Sequence, residues 1–181
     1  MAVHGTIMTL LKRYVQTQYD HATWVRLVEA SGITYSDFEV QAVYPDQDLY
    51  TLVGHAAEMS GVPAEELHEK FGEYLVPDLM LMYGKLVDPT WRTLEMVENT
   101  EKHMHVHIRH QNPGHNPPVL QVERLGKNEL QVEYVSPRRM GALAVGIIRG
   151  LAVYYNEEDR IEIEPVTSEN GERVSIRVRR N

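Results

Sequence analysis

Cysteine is absent from the 181-residue chain, which removes disulfides, thiolate metal sites and cysteine nucleophiles at once. Bases are outnumbered: 18 Lys and Arg stand against 26 Asp and Glu, for a formal net charge of -8. A nucleic-acid binder would show a basic patch or stripe, so that class is set aside. The arginines that gather at the C-terminus (Arg173, Arg177, Arg179, Arg180) read as the solvated edge of a strand. No apolar run approaches the roughly 18 residues of a membrane span, and the N-terminus carries no signal-peptide pattern. Linkers, repeats and low-complexity segments are missing too. These absences leave a cytoplasmic domain with neither a membrane nor a nucleic-acid partner as the expectation. With 43% hydrophobic residues the chain can bury a real core, as one domain or two intimately packed halves.

Hydrophobic periodicity divides the chain in two. Ile7, Leu10, Leu11 and Val15 recur at helical spacing, and "TWVRLVEASG" continues with a glycine stop. "PDQDLYTLVGHAAEMSG" places acids before the stripe of Leu49, Leu52 and Val53. "VPAEELHEKFGEYLV" begins with Pro63 and acids suited to a helix N-terminus, and "PDLMLMYGKLV" reads as a short buried helix. A long helix then covers "PTWRTLEMVENTEKHMHVHIRHQ", ended by the Asn112–Gly114 turn. After it the period becomes two: "VLQVERL" and "ELQVEYVS" form a hairpin across "GKN". An apolar helix follows, with Met140, Leu143, Ile147 and Leu151 on one stripe. Its Gly141, Gly146 and Gly150 imply that a helix or a ligand packs close to the backbone. A second hairpin, turning near Asn170-Gly171, closes the chain. Helices followed by strand-strand-helix-strand-strand make an α+β architecture.

Nine histidines are many for this length, and five of them (His103, His105, His107, His110, His115) fall within thirteen positions. At about 100° per residue, His105 sits at the edge of the face shared by Leu94, Val97, Met104 and Ile108. His103, His107 and His110 project to the opposite side, and Glu101 alone spoils the inward pattern. Three outward histidines are either a solvated face or a surface site for zinc, copper or nickel. The inward one is either a satisfied core residue or a ligand.

A second pattern bears on that choice. In "EYVSPRR", Tyr134, Ser136 and Arg138 occupy alternate positions, so a continuing strand would point all three one way. Such a row makes sense if it grips an anion. Haem needs an axial ligand and partners for two propionates, and arginine's planar fork matches a carboxylate. The helix of Leu143 and Ile147 could line the apolar slot that a porphyrin requires.

With these residues in view, the chain resembles the H-NOX domains, haem nitric-oxide/oxygen-binding domains found in bacteria and in animal soluble guanylate cyclase. The resemblance runs from "GTI" at Gly5 through "FGEYLV" at Phe71 and "NPGHNPP" at Asn112 to the "YVSPR" signature. It implies an α+β H-NOX fold, with residues 1–62 as a distal helical subdomain and 63–181 as a proximal one. The proximal part would carry the long helix and a four-stranded antiparallel sheet. It further implies haem b (iron protoporphyrin IX) on His105, which lies 12 residues before Pro117 and 29 before Tyr134, with His103 as the alternative. Tyr134, Ser136 and Arg138 match the propionate-holding residues, and Pro118 a proline that packs on the porphyrin. Met104, Ile7, Leu75, Leu143 and Ile147 complete the haem-contacting set.

Oxygen-binding members place a distal tyrosine where this chain has Leu143, with polar support where it has Leu11 and Leu75; Tyr74 is the neighbouring hydroxyl. The implied function is a sensor, not an enzyme: ferrous haem that binds NO and CO and holds O2 poorly. NO would weaken the iron–His105 bond, free its helix and signal to a separate enzyme such as a histidine kinase or a cyclic-di-GMP enzyme. The competing expectations are an H-NOX-like interaction scaffold without haem and a metalloenzyme built on the histidine cluster.

Overall fold

The computed structural model describes residues 2–111 and 116–181. His115 and the "NPG" end of the long helix lie outside them. Contacts divide the chain into two compact units, residues 2–67 and 116 in the first and residues 68–111 and 117–181 in the second.

In the first unit a short strand β1 (Ala2–His4) leads into α1 (Gly5–Gln18), followed by α2 (His21–Ser31). Then come β2 (Val43–Pro45), antiparallel to β1, and α3 (Asp46–Ser60). Asp20 caps α2 by accepting from the Thr23 amide at 2.6 Å. Gly32 and Gly61 end α2 and α3 in the left-handed conformation, at φ 69° and 70°, which glycine adopts without a Cβ penalty. Met8, Leu11, Trp24, Leu27, Leu49 and Leu52 form the core, as their helical spacing implies. The two-stranded β1–β2 pair has no counterpart in the periodicity, because three-residue strands are too short to show alternation.

The helix α4 (Ala64–Tyr83) begins in the first unit and continues into the second. Here the sequence reading needs correction. "VPAEELHEKFGEYLV" and "PDLMLMYGKLV" are not two helices: α4 runs straight through Pro77 and ends in a 3₁₀ turn at Gly84–Leu86. Nor is its last part buried, since Leu81 is 85% exposed. Proline removes one N–H and ordinarily breaks a helix. In this one the turns on either side of it are anchored by burial, with Phe71, Leu75 and Val76 before Pro77 and Met80 after it.

The second unit continues with α5 (Thr93–Thr100), a π-helical turn (Glu101–His105) and α6 (Val106–Gln111). Next come β3 (Val119–Gly126), β4 (Glu129–Val135), α7 (Gly141–Tyr154), β5 (Ile161–Pro165) and β6 (Arg173–Arg180). The sheet is antiparallel in the order β3-β4-β6-β5. Leu130, Val132 and Tyr134 of β4 and Val174, Ile176 and Val178 of β6 are buried on its inner face. On the outer face Arg179 meets Glu129 at 3.0 Å and Arg177 meets it at 3.5 Å, with Glu162 and Glu164 also near Arg179. Arg173, Arg177 and Arg179 are thus part of a cross-strand charge ladder on an inner strand, while Arg180 pairs with Glu95 and Glu157 instead.

Glycines join α4 to α7. A Cβ at Gly72 would lie 2.5 Å from the Leu143 carbonyl oxygen and 2.8 Å from the Ile147 nitrogen. One at Gly146 would overlap the Glu69 carbonyl, and one at Gly150 would lie 2.6 Å from Val76. What packs on Gly146 and Gly150 is therefore another helix, held further by an Arg149–Glu69 ion pair, whereas Gly141 packs against the Glu169 carbonyl and Val174 of β6. At the far end of α7, Glu157 accepts from the Thr93 amide at 3.0 Å and pairs with Arg180 at 3.2 Å, tying α5, α7 and β6 together.

Candidate functional site

His105 closes the π-helical turn. Val106 donates to the Glu101 carbonyl across five residues, so one extra residue is accommodated and the helix changes phase there. Uniform counting at 100° per residue therefore fails after Glu101. His103 and His110 are exposed as expected, whereas His107 is half-buried instead of projecting outward. Met104 is buried, and the His105 side chain is 15% exposed. The His103 ring packs edge-on against Trp91, their centroids 5.1 Å apart. Among the described residues no three His, Asp or Glu side chains converge as a metal site would need.

Glu101, the misfit of the helical pattern, is the partner of His105. His105 Nδ1 lies 3.0 Å from Glu101 Oε2. The other donors to the same carboxylate are Arg109 Nη1, at 2.6 Å from Oε1, and the Leu120 amide, at 3.0 Å from Oε2. Guanidinium and peptide N–H can only donate, so Glu101 accepts throughout and His105 must be the donor at Nδ1. A neutral imidazole with its proton on Nδ1 carries its lone pair on Nε2. Burial alone would raise the Glu101 pKa, but the hydrogen bonds from His105, Arg109 and Leu120 outweigh it and hold the group at about 2.

This carboxylate also links elements. β3 is an edge strand, and Glu101 supplies an acceptor for the Leu120 amide near its start. Arg109 reaches on to the Pro118 carbonyl at 3.0 Å and, more weakly, to that of Pro117 at 3.4 Å. In the ladder Leu120 faces Tyr134, so the His105 turn and the signature residues lie on neighbouring elements.

The signature is not one continuous strand. β4 ends at Val135, and Ser136 and Arg138 lie in the turn that leads to α7, where Arg139 takes a left-handed φ of 53°. Tyr134 and Ser136 are nonetheless both buried. Tyr134 Oη accepts from the Met140 amide at 3.3 Å, and Ser136 Oγ accepts from the Arg138 amide at 3.2 Å. With its oxygen accepting, Tyr134 keeps its own proton to donate, and Ser136 turns its hydroxyl toward the tyrosine. Burial pushes the Tyr134 phenol up, although Ser136, the Met140 amide and Arg138 oppose it, so it stays a neutral donor. This donor set, with an imidazole whose Nε2 is available, suits an acidic metalloporphyrin.

The remaining expected residues are placed as follows. Pro118 is half-buried just before β3, and Leu75 is buried on α4 next to half-buried Tyr74. Leu143 and Ile147, both half-buried, flank the point where Gly72 meets α7. Ile7 is half-buried on α1, in the first unit. Sequence reasoning missed Glu101 and Arg109. The available signal was their spacing, four residues before and four after His105, which places all three on one helix face.

Comparison with known proteins identifies the fold. The structure superposes on an S. oneidensis H-NOX protein in the Fe(II)NO ligation state, with TM-score 0.88 and 20% identity over 99% of both chains. The unliganded Fe(II) H-NOX protein of K. algicida gives TM-score 0.87 and 19% identity over 99% of this chain and 97% of that one. By sequence the chain is similar to soluble guanylate cyclase gcy-31 of Caenorhabditis elegans, with 23% identity over 138 residues. That match covers 76% of this chain and 20% of the cyclase, so the chain spans about a fifth of that relative's length. No described helix is long and apolar enough to cross a membrane. A family model described as haem-NO-binding matches residues 4–164, and on that match the chain belongs to the haem-NO-binding, or H-NOX, family.

Proposed function

We propose that this chain is a haem-based sensor of nitric oxide in which His105 is the iron ligand and Tyr134, Ser136 and Arg138 hold the propionates. The observation that carries the reading is the His105–Glu101 hydrogen bond. It occupies Nδ1 and leaves Nε2 as the lone-pair nitrogen, the arrangement that ligand histidines adopt. Haem b would supply a ferrous centre able to take up a diatomic gas. Arg138 offers its fork to a carboxylate, and the buried hydroxyl of Tyr134, toward which Ser136 turns its own, adds a donor. Met104 and Pro118, with Leu75, Leu143 and Ile147, supply apolar surface for a porphyrin.

Selectivity follows from what Leu75 and Leu143 lack. Bound O2 is polar and gains from a hydrogen-bond donor, whereas NO gains much less. Aliphatic side chains at these positions favour NO and CO and leave O2 poorly held. The output is a change of shape rather than a turnover. His105 sits where the helix is already irregular, and loosening its hold frees the 101–111 stretch to rearrange. A separate signalling enzyme, such as a histidine kinase or a cyclic-di-GMP enzyme, would read that change.

Absorption spectra of the purified reduced protein, before and after NO and separately O2, test the reading. The expected result is a five-coordinate ferrous haem that responds to NO and forms no stable oxygen complex. A stable oxygen complex would contradict the selectivity argument and direct attention to Tyr74. A chain that stays colourless when expressed with ample haem precursor would replace the sensor with an interaction scaffold.

A further inference from the structure

We propose that Glu101 is a positioning residue that makes His105 a stronger ligand, and that Arg109 limits how strongly it acts; the proposal rests on reading His105 as the iron ligand. Three observations carry it. Glu101 Oε2 takes the Nδ1 proton side of His105 at 3.0 Å, which fixes the ring's tautomer and orientation. The same oxygen accepts from the Leu120 amide, so it is held against a strand and cannot follow the ring if the ring turns. Oε1 is taken by the Arg109 guanidinium, which is itself anchored to the Pro118 and Pro117 carbonyls.

A histidine that shares its Nδ1 proton with a carboxylate gains imidazolate character, and Nε2 becomes the better electron donor. Arg109 works the other way. Its positive charge draws on the carboxylate, so Oε2 pulls less on the His105 proton. The two residues thus set the strength of the Nε2 bond by opposing effects. Any displacement of His105 must also disturb Glu101, and through Arg109 the Pro117–Pro118 backbone that leads into β3. The network therefore both stiffens the ligand and gives its movement a defined route to the sheet.

The test compares the wild-type holoprotein with Glu101→Gln and Arg109→Ala, reading the iron–histidine stretching frequency of the ferrous, gas-free form by resonance Raman. Glutamine keeps an oxygen for the Leu120 amide but removes the charge. The frequency should fall in Glu101→Gln and rise in Arg109→Ala. Haem transfer to apomyoglobin should report roughly 10-fold weaker retention in Glu101→Gln, the lower end of what loss of such a partner costs. A role limited to bracing the helix would shift both variants in the same direction, and that result overturns the proposal. Unchanged frequencies in both would do the same.

Nitrogen-15 NMR of the His105 ring in the haem-free full chain separates this proposal from the reading beneath it. The proton should reside on Nδ1 in the wild type and redistribute in Glu101→Gln. A wild-type ring protonated on Nε2 would overturn the proposal even if haem binds. A chain that takes up no haem, with the ring still protonated on Nδ1, would overturn the sensor reading while leaving Glu101 as the residue that orients His105.

Discussion

Replacing Gly146 by alanine should destabilise the protein, although alanine is the better helix former. Glycine in a helix interior costs about 1 kcal/mol relative to alanine, so on propensity alone the change would stabilise α7. The added methyl would overlap the Glu69 carbonyl oxygen and sit 2.7 Å from both the carbonyl carbon and the Cα. Those are backbone atoms of a packed helix, and no rotamer change can clear them. Relief requires α4 and α7 to part, loosening the close approaches of Gly72 to the Leu143 and Ile147 backbone and of Gly150 to Val76. Overpacking of this kind costs about 1–3 kcal/mol or more, and backbone-on-backbone contact belongs at the upper end. Net of the propensity gain, about 2 kcal/mol of destabilisation remains. In a chain of this size that lowers Tm by roughly 4–8 °C. Gly54 is the control, a glycine inside α3 with nothing within 4 Å of its would-be Cβ. There alanine should gain close to the full propensity increment of about 1 kcal/mol. Circular dichroism melts and urea midpoints of the two variants should therefore move in opposite directions. A Gly146→Ala protein as stable as the wild type, or more so, would refute the contact argument.

Three further outcomes follow from the site. His105→Gly should lose the iron–nitrogen bond while keeping the fold, with haem binding restored by added imidazole; an unchanged haem spectrum without imidazole would reject His105 as the ligand. Arg138→Ala should speed haem loss to apomyoglobin by roughly 10-fold or more, since a charge-assisted, bidentate partner is removed; wild-type retention would count against the propionate role. Glu101 has a depressed pKa, so its contribution is complete above the ordinary value of 4.5 and disappears as pH falls toward about 2. Allowing for its partial exposure, about 2 kcal/mol should be lost over that interval. Urea midpoints at about pH 5 and pH 3 should therefore differ less in Glu101→Gln than in the wild type, and an equal difference would deny Glu101 that role.

Elements that announce themselves by local chemistry were legible in the sequence. α2 and α3 stop at glycines that take left-handed φ, and the β3–β4 and β5–β6 hairpins alternate cleanly. Illegible features were those decided by tertiary context. Pro77 marks a helix break by local rules, yet burial on both sides carries α4 through it. A π-helical turn has no simple residue signature, so the phase shift that brings His107 half inward could not be read from spacing. In the candidate site, periodicity separated His105 from His103, and the two do differ in the structure, one mostly buried and the other exposed. Glu101 stood out only as a blemish on an apolar face. Helical phase records where a side chain points, not what it meets. The donors that explain Glu101 include the Leu120 amide, which comes from β3 and is invisible to a reading of the helix alone.

The glycine seam between α4 and α7 has a dynamic consequence. Most helix contacts can breathe through their side chains, which hop between rotamers while the backbones stay in place. At Gly72 and Gly146 no side chain stands between the two backbones. Such a joint has nothing with which to take up slack by degrees, so it is either engaged or parted. Hydrogen exchange should register this as one event, with the amides of α7 around Gly146 and those of α4 around Gly72 losing protection together at a single opening free energy. A bond made or broken elsewhere in this unit would then be felt along both helices at once.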